Sequence, residues 1–144
     1  MLIGETIKMP FDEIEQLLLR INKILIKNQE KDFKNVVNDS SKIVSNTDFH
    51  RYEIFYIELM NYKFSMCSFR GSFIENSEFI NCEFSDCSFL TTIIFDTRFI
   101  NCKFNNCIFM FAELNNITIE NCFLQNCYFR ENWVNGEKEN KCFF

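Results

Sequence analysis

With 144 residues, a net charge of −5 and a single histidine, the chain has the length of one domain and lacks the basic stripe that nucleic-acid binding needs. Nineteen phenylalanines stand against three glycines and one proline, an imbalance that the pattern described below accounts for. No apolar run is long enough to span a bilayer, and Glu5, Lys8, Asp12, Glu13 and Glu15 break the start where a signal peptide would need an apolar core, so a cytoplasmic location is expected.

Met1 to Met9 carries no element signal. Pro10 opens a helix reaching Lys27, with proline tolerated at the first position and Asp12, Glu13 and Glu15 at the positive end of the dipole. Ile14, Leu17, Leu18, Ile21, Ile24 and Leu25 form its apolar stripe. A second helical piece is expected over Glu30 to Asn38, with Phe33, Val36 and Val37 on its inner side, and Asp39-Ser40-Ser41 reads as a loop. These 46 residues hold seven acids and seven bases, so the whole net charge lies in residues 47–144, with 13 acids and 8 bases.

From Phe49 to Val134 an apolar residue returns at every fifth position, 18 times in succession and ten times as Phe. Two residues before each, from Cys67 to Cys127, sits a second column: Cys67, Ser72, Ser77, Cys82, Cys87, Thr92, Thr97, Cys102, Cys107, Ala112, Ile117, Cys122 and Cys127. A period of five fits neither a helix nor a single strand, so the chain is a repeat with its own geometry. Phe79-Ile80-Asn81-Cys82 is answered by Phe99-Ile100-Asn101-Cys102 and Ile119-Glu120-Asn121-Cys122, so four fives close one coil of twenty. No coil buries its interior alone; stacking does that. The first coil, Thr47 to Met66, holds Thr47, Tyr52, Ile57 and Tyr62 at the small-residue sites, which reads as a terminal repeat built to receive a cap.

Cys82-Glu83-Phe84-Ser85-Asp86 and Cys102-Lys103-Phe104-Asn105-Asn106 resemble the motif of pentapeptide-repeat proteins, and the resemblance covers Thr47 to about Gly136. It implies an all-β solenoid, a right-handed quadrilateral β-helix of about 4.5 coils with an α-helical N-terminal cap. The division is then residues 1–46 as the helical capping segment, 47–136 as the β-helix and 137–144 as a tail. Asn or Asp prefers the fifth place, as in Asn81, Asp86, Asn101, Asn106, Asn121 and Asn126, where corners need left-handed backbone; Asn61, Asn81, Asn101 and Asn121 would stack as an amide ladder. The eight cysteines follow the coil period, with gaps of 15 and 5. They read as buried small hydrophobes, with neither disulfides nor a zinc site expected.

No nucleophile stands beside a base and no Gly-rich loop is present, so neither an enzyme nor a bound cofactor or metal is expected. Function falls to the outside. Phe73, Leu90, Ile93, Phe95, Ile108, Met110 and Phe111 point outward and form the candidate surface for a protein partner. The leading reading is therefore an interaction or scaffold module. Glu53, Glu75, Asp96 and Glu113 make one face acidic, and some proteins that the chain resembles imitate DNA and bind type II topoisomerases. A DNA-mimic modulator of DNA gyrase or topoisomerase IV is thus the alternative. Trp133, Phe143 and Phe144 cluster at the C-terminal end as the expected contact of a homodimer. The first helix, about 27 Å long at 1.5 Å per residue, has two placements: across the bulky first coil, or along the outward apolar residues. The direct connection into the coil favours the first.

Overall fold

The computed structural model describes residues 11–24, 26–27, 30–38, 40–130, 133–135 and 138–140. Each group of five contributes three extended residues and one corner. The middle extended residue points inward, its two neighbours point outward, and the corner takes left-handed backbone. Non-glycine corners have φ between 47° and 64°, and nine of them are Asn and two Asp. These are the residues that accept this conformation at least cost. Gly71 meets the same demand at φ +68°. Thr91 and Phe111 occupy it too, held there by the pairing above and below.

Twenty residues complete a turn, and from Ile43 onward the paired strands are parallel and twenty positions apart, which gives a quadrilateral β-helix. The first wall is built from Ile43–Ser45, Lys63–Ser65, Glu83–Ser85, Lys103–Asn105 and Phe123–Gln125. The third comprises Glu53–Phe55, Phe73–Glu75, Ile93–Phe95, Glu113–Asn115 and Trp133–Asn135. The fourth comprises Glu58–Met60, Glu78–Ile80, Arg98–Ile100, Thr118–Glu120 and Lys138–Asn140. Pairing starts at Ile43, with Val44 buried in the same five-residue register, one wall ahead of the Thr47 start.

The second wall changes character as it rises. In its lower coils it is joined by single bridges, Asp48 to Ser68 to Ser88 to Ile108. There Asp48, Ser68 and Ser88 each accept, through a side-chain oxygen, the N–H two residues on, at 3.1–3.3 Å. Such local bonds compete with extended pairing. Ile108 and Tyr128 have no oxygen placed to do this, and Ile108–Met110 pairs with Tyr128–Arg130 as regular strands.

Inside, phenylalanines stack by column. Along the second wall the ring centroids of Phe49, Phe69, Phe89, Phe109 and Phe129 are 4.7–5.1 Å apart, with interplanar angles of 2–15°. Phe64, Phe84 and Phe104 stack on the first wall at 4.9–5.0 Å and meet the second column edge-on at 5.6–5.7 Å. Each such pair contributes about 0.5–1.5 kcal/mol beyond the area it buries. The third wall supplies Ile54, Ile74, Ile94 and Leu114 instead. Where Ile119 and Leu124 replace rings near the top, beside Leu114, an apolar void of about 20 Å³ remains.

The N-terminal residues divide between two tasks, and here the structure corrects the expectation. Helix α2, Phe33–Val37, closes the lower end: Phe33 and Val37 are buried in the main core, with the Phe33 ring 5.1 Å from Phe49. The bulky first-coil residues reach down to it. Tyr52 donates its hydroxyl proton to the Glu30 carbonyl, and Tyr62 donates to the Val37 carbonyl at 2.8 Å. Helix α1, Phe11–Ile24, does not cap that end. It lies along the second wall, where Leu17 and Ile21 form a separate apolar cluster with Ile108 and Tyr128, edged by Leu18, Met66 and Met110. The physical reason is that wall's outward column, which turns from Ser68 and Ser88 to Ile108 and Tyr128 and so offers a helix an apolar seat. The helix also stops at Ile24 rather than Lys27, because Ile26–Lys27 pairs in parallel with Thr47–Asp48 as a short first rung.

Candidate functional surface on the third wall

The thiols come first, since they are the most reactive groups of the chain. Cys67, Cys82, Cys87, Cys102, Cys107, Cys122 and Cys127 are all buried and free. Each donates its S–H to a carbonyl of the coil below, as Cys102 does to Phe79 at 3.2 Å and Cys107 to Phe84 at 3.3 Å. Hydrogen bonding to the next thiol in the column pushes Cys67 and Cys102 up, with burial adding to it, and at Cys107 burial is the larger cause. A thiol held neutral away from solvent is neither a nucleophile nor a ligand. Ser and Thr in the other inner columns are likewise engaged: Thr92 donates to the Phe69 carbonyl at 2.7 Å and Thr97 to Phe95 at 2.8 Å. Among the described residues no cluster of His, Cys, Asp and Glu has the arrangement of a metal site.

The corners carry polar ladders. Asn81 donates to the Asn61 side-chain oxygen at 2.6 Å, a rung of the expected amide ladder. A second ladder, Asn126 to Asn106 to Asp86, runs at 2.6 and 3.2 Å, and Asn116 donates to Asp96 at 2.6 Å. Asp86 accepts and cannot donate when ionised, so it ends its ladder. Asp96, one of the acidic-face residues, thus has a structural role at its corner.

The outward apolar residues divide sharply. Ile108, expected on an open partner surface, is 0% exposed and sits beneath α1, so it is not available to a partner while the helix is docked. Met110 is half-buried at the edge of the same cluster, and Leu90, one rung below it in the same column, is half-buried as well. On the third wall the outcome is different. Phe73 is 46% exposed, Phe95 36% and Phe111, at the adjoining corner, 43%, with Ile93 half-buried between them. Phe55 (37%) and the neighbouring corner residue Tyr56 (74%) extend the same patch. Neither was among the candidates, although the twenty-residue spacing places Phe55 two rungs below Phe95. Trp133 begins the top strand of this wall, paired with Glu113; Phe143 and Phe144 lie outside the described residues.

The acidic residues fall on the same wall but not in one column. One outward column reads Glu53, Phe73, Ile93, Glu113; the other reads Phe55, Glu75, Phe95, Asn115. Acid and aromatic therefore alternate, and no two carboxylates are register neighbours. On the fourth and first walls two acids have a base one rung away, Arg98 with Glu78 at 2.5 Å and Lys103 with Glu83 at 3.9 Å, while Glu58 stands opposite Glu78 and Glu120 opposite Ile100. On the third wall no ion pair among the described residues involves Glu53, Glu75 or Glu113.

No protein-family model matches the chain, and no curated protein matches it. Solved structures do. The pentapeptide repeat protein Rfr23 from the cyanobacterium Cyanothece 51142 is 12% identical with a TM-score of 0.66, over 71% of this chain and 84% of that one. HetL from Nostoc sp. strain PCC 7120, a pentapeptide repeat protein involved in heterocyst differentiation regulation, is 6% identical with a TM-score of 0.53, over 67% of this chain and 50% of that one. QnrB1, a plasmid-mediated fluoroquinolone resistance protein, is 19% identical with a TM-score of 0.40, over 69% and 52%. The fold is that of the pentapeptide-repeat proteins. Fold does not carry function with it.

Proposed function

We propose that the chain is a non-catalytic interaction module that binds another protein through its third wall. The observation that supports this reading is the grouping of exposed Phe55, Phe73, Phe95 and Phe111 around half-buried Ile93 on one wall, where the exposed Ile43, Met60 and Phe123 lie apart on other walls, beside a second wall whose own apolar column is already occupied by α1. Contiguous exposed aromatics of this kind mark binding surfaces. The test is the double replacement Phe73→Ser with Phe95→Ser. Both side chains point outward, so the melting temperature should shift little, while a protein captured from the source-cell lysate by the wild type should be lost. A large fall in stability, with capture retained by the surviving folded fraction, would overturn the reading.

DNA mimicry toward gyrase or topoisomerase IV asks for continuous negative columns along the helix axis. The third wall interrupts its acids with rings, and the only adjoining acids on the fourth wall, Glu58 and Glu78, are followed in the same column by Arg98, which pairs with Glu78; both features favour the interaction module. Inhibition of gyrase supercoiling at micromolar protein would reverse that preference.

A further inference from the structure

We propose that the third wall receives an arginine side chain of its protein partner, the guanidinium seated on the Glu75 carboxylate and its faces against Phe55, Phe73 and Phe95. This rests on the reading of the wall as a protein-binding surface and adds the chemistry of what binds there.

The placement follows from register. Glu75 has Phe55 one rung below and Phe95 one rung above in its own column, and Phe73 two residues back on its own strand, on the same outward side. Rungs are about 4.8 Å apart, so one carboxylate is flanked by three partly exposed rings within the span of a single side chain. Aromatic neighbours do nothing for a carboxylate by themselves; their negative faces disfavour it slightly and their bulk removes part of its water. The combination suits a cation that is also weakly hydrated and has apolar faces. Guanidinium is such a cation: its fork matches a carboxylate in two parallel hydrogen bonds, and its plane stacks on rings. An ammonium is compact and strongly hydrated and would use only half of the site.

Charge complementarity points the same way. Glu78 and Glu83 on the fourth and first walls each meet an arginine or lysine of the next coil, so their charge is met inside the molecule. Glu53 faces Phe73, Glu75 faces Phe55 and Phe95, and Glu113 faces Ile93. An apolar partner laid on this wall would strip water from Glu75 and give nothing back, which is costly. A partner carrying arginine at that point gains from both the rings and the charge.

The test is a chemical-shift titration of the full chain with the peptide acetyl-Val-Arg-Val-amide and its citrulline counterpart, which keeps shape and loses charge. Shifts confined to Phe55, Phe73, Glu75 and Phe95, with the citrulline peptide binding about tenfold more weakly, are expected; Glu75→Gln should remove that tenfold difference, as loss of a charge-assisted hydrogen bond does. Equal binding of the two peptides, shifts centred instead on the paired acids Glu78 and Glu83, or no shifts at all would each overturn the arginine site. Concentration-dependent shifts of these residues without peptide would mean that a second copy of the chain is the occupant, and would overturn it as well. The broader docking reading fails separately, by the double phenylalanine replacement retaining its partner.

Discussion

Ile108→Ser isolates what holds α1 to the solenoid. Serine is what the two coils below carry at the same place, Ser68 and Ser88, and each accepts a backbone N–H two residues on at 3.3 Å. The variant coil therefore has a ready local structure, and the inner column, including Phe109, is untouched. What is lost is the apolar seat of the helix. Ile108 is wholly buried, and its cluster partners Leu17 and Ile21 are 2% and 1% exposed. Removing a buried isoleucine side chain forfeits about 2–3 kcal/mol of burial and packing, here taken almost entirely from docking of α1. At 1.4 kcal/mol per factor of ten, amide protection in Phe11–Ile24 should drop roughly 30- to 150-fold.

Hydrogen exchange read by mass spectrometry resolves this, because peptides from α1 and from the third and fourth walls separate cleanly in sequence. Wall peptides should keep their protection while α1 peptides lose theirs. Equal loss in both would mean that Ile108 belongs to the core of the coil and that the helix is a consequence of it. Unchanged protection in α1 would mean that the helix is held elsewhere, and the side-strap placement would be refuted.

Phe104→Asp should abolish folding: its ring stacks on Phe84 at 4.9 Å and meets Phe99 and Phe109 edge-on. Losing it costs about 3–5 kcal/mol before the buried charge is counted, so a native circular dichroism spectrum would refute the inward register. Cys87 and Cys107 should resist thiol reagents in the native protein and react once it is denatured; rapid stoichiometric labelling of either would refute their burial. Pairing of two copies at the end marked by Trp133 should appear in light scattering as twice 17.3 kDa.

The solenoid was legible because its constraint acts at every residue: a slip of one in a period of five would put Lys63 or Ser65 where Phe64 stands and Glu83 or Ser85 where Phe84 stands, and no such slip occurs between Phe49 and Val134. The corners were legible for the same reason, since left-handed backbone selects Asn and Asp directly. Placement of α1 was not, because helical spacing says which residues of α1 are buried but not against what. The information lay in a different direction of the sequence, along steps of twenty. Read that way, Asp48, Ser68, Ser88, Ile108, Tyr128 shows where a wall stops solvating itself and starts to need a cover. The same reading separates the acids. Taken in chain order, Glu53, Glu75, Asp96 and Glu113 look like one acidic face; taken in steps of twenty they fall into two columns and a corner, each carboxylate bordered by rings, aliphatics or a partner amide. In a stacked fold, electrostatic neighbours are set by coil and not by chain. An acid's partner is therefore found one turn away, and a turn that offers Phe instead of Lys leaves its charge to be met from outside.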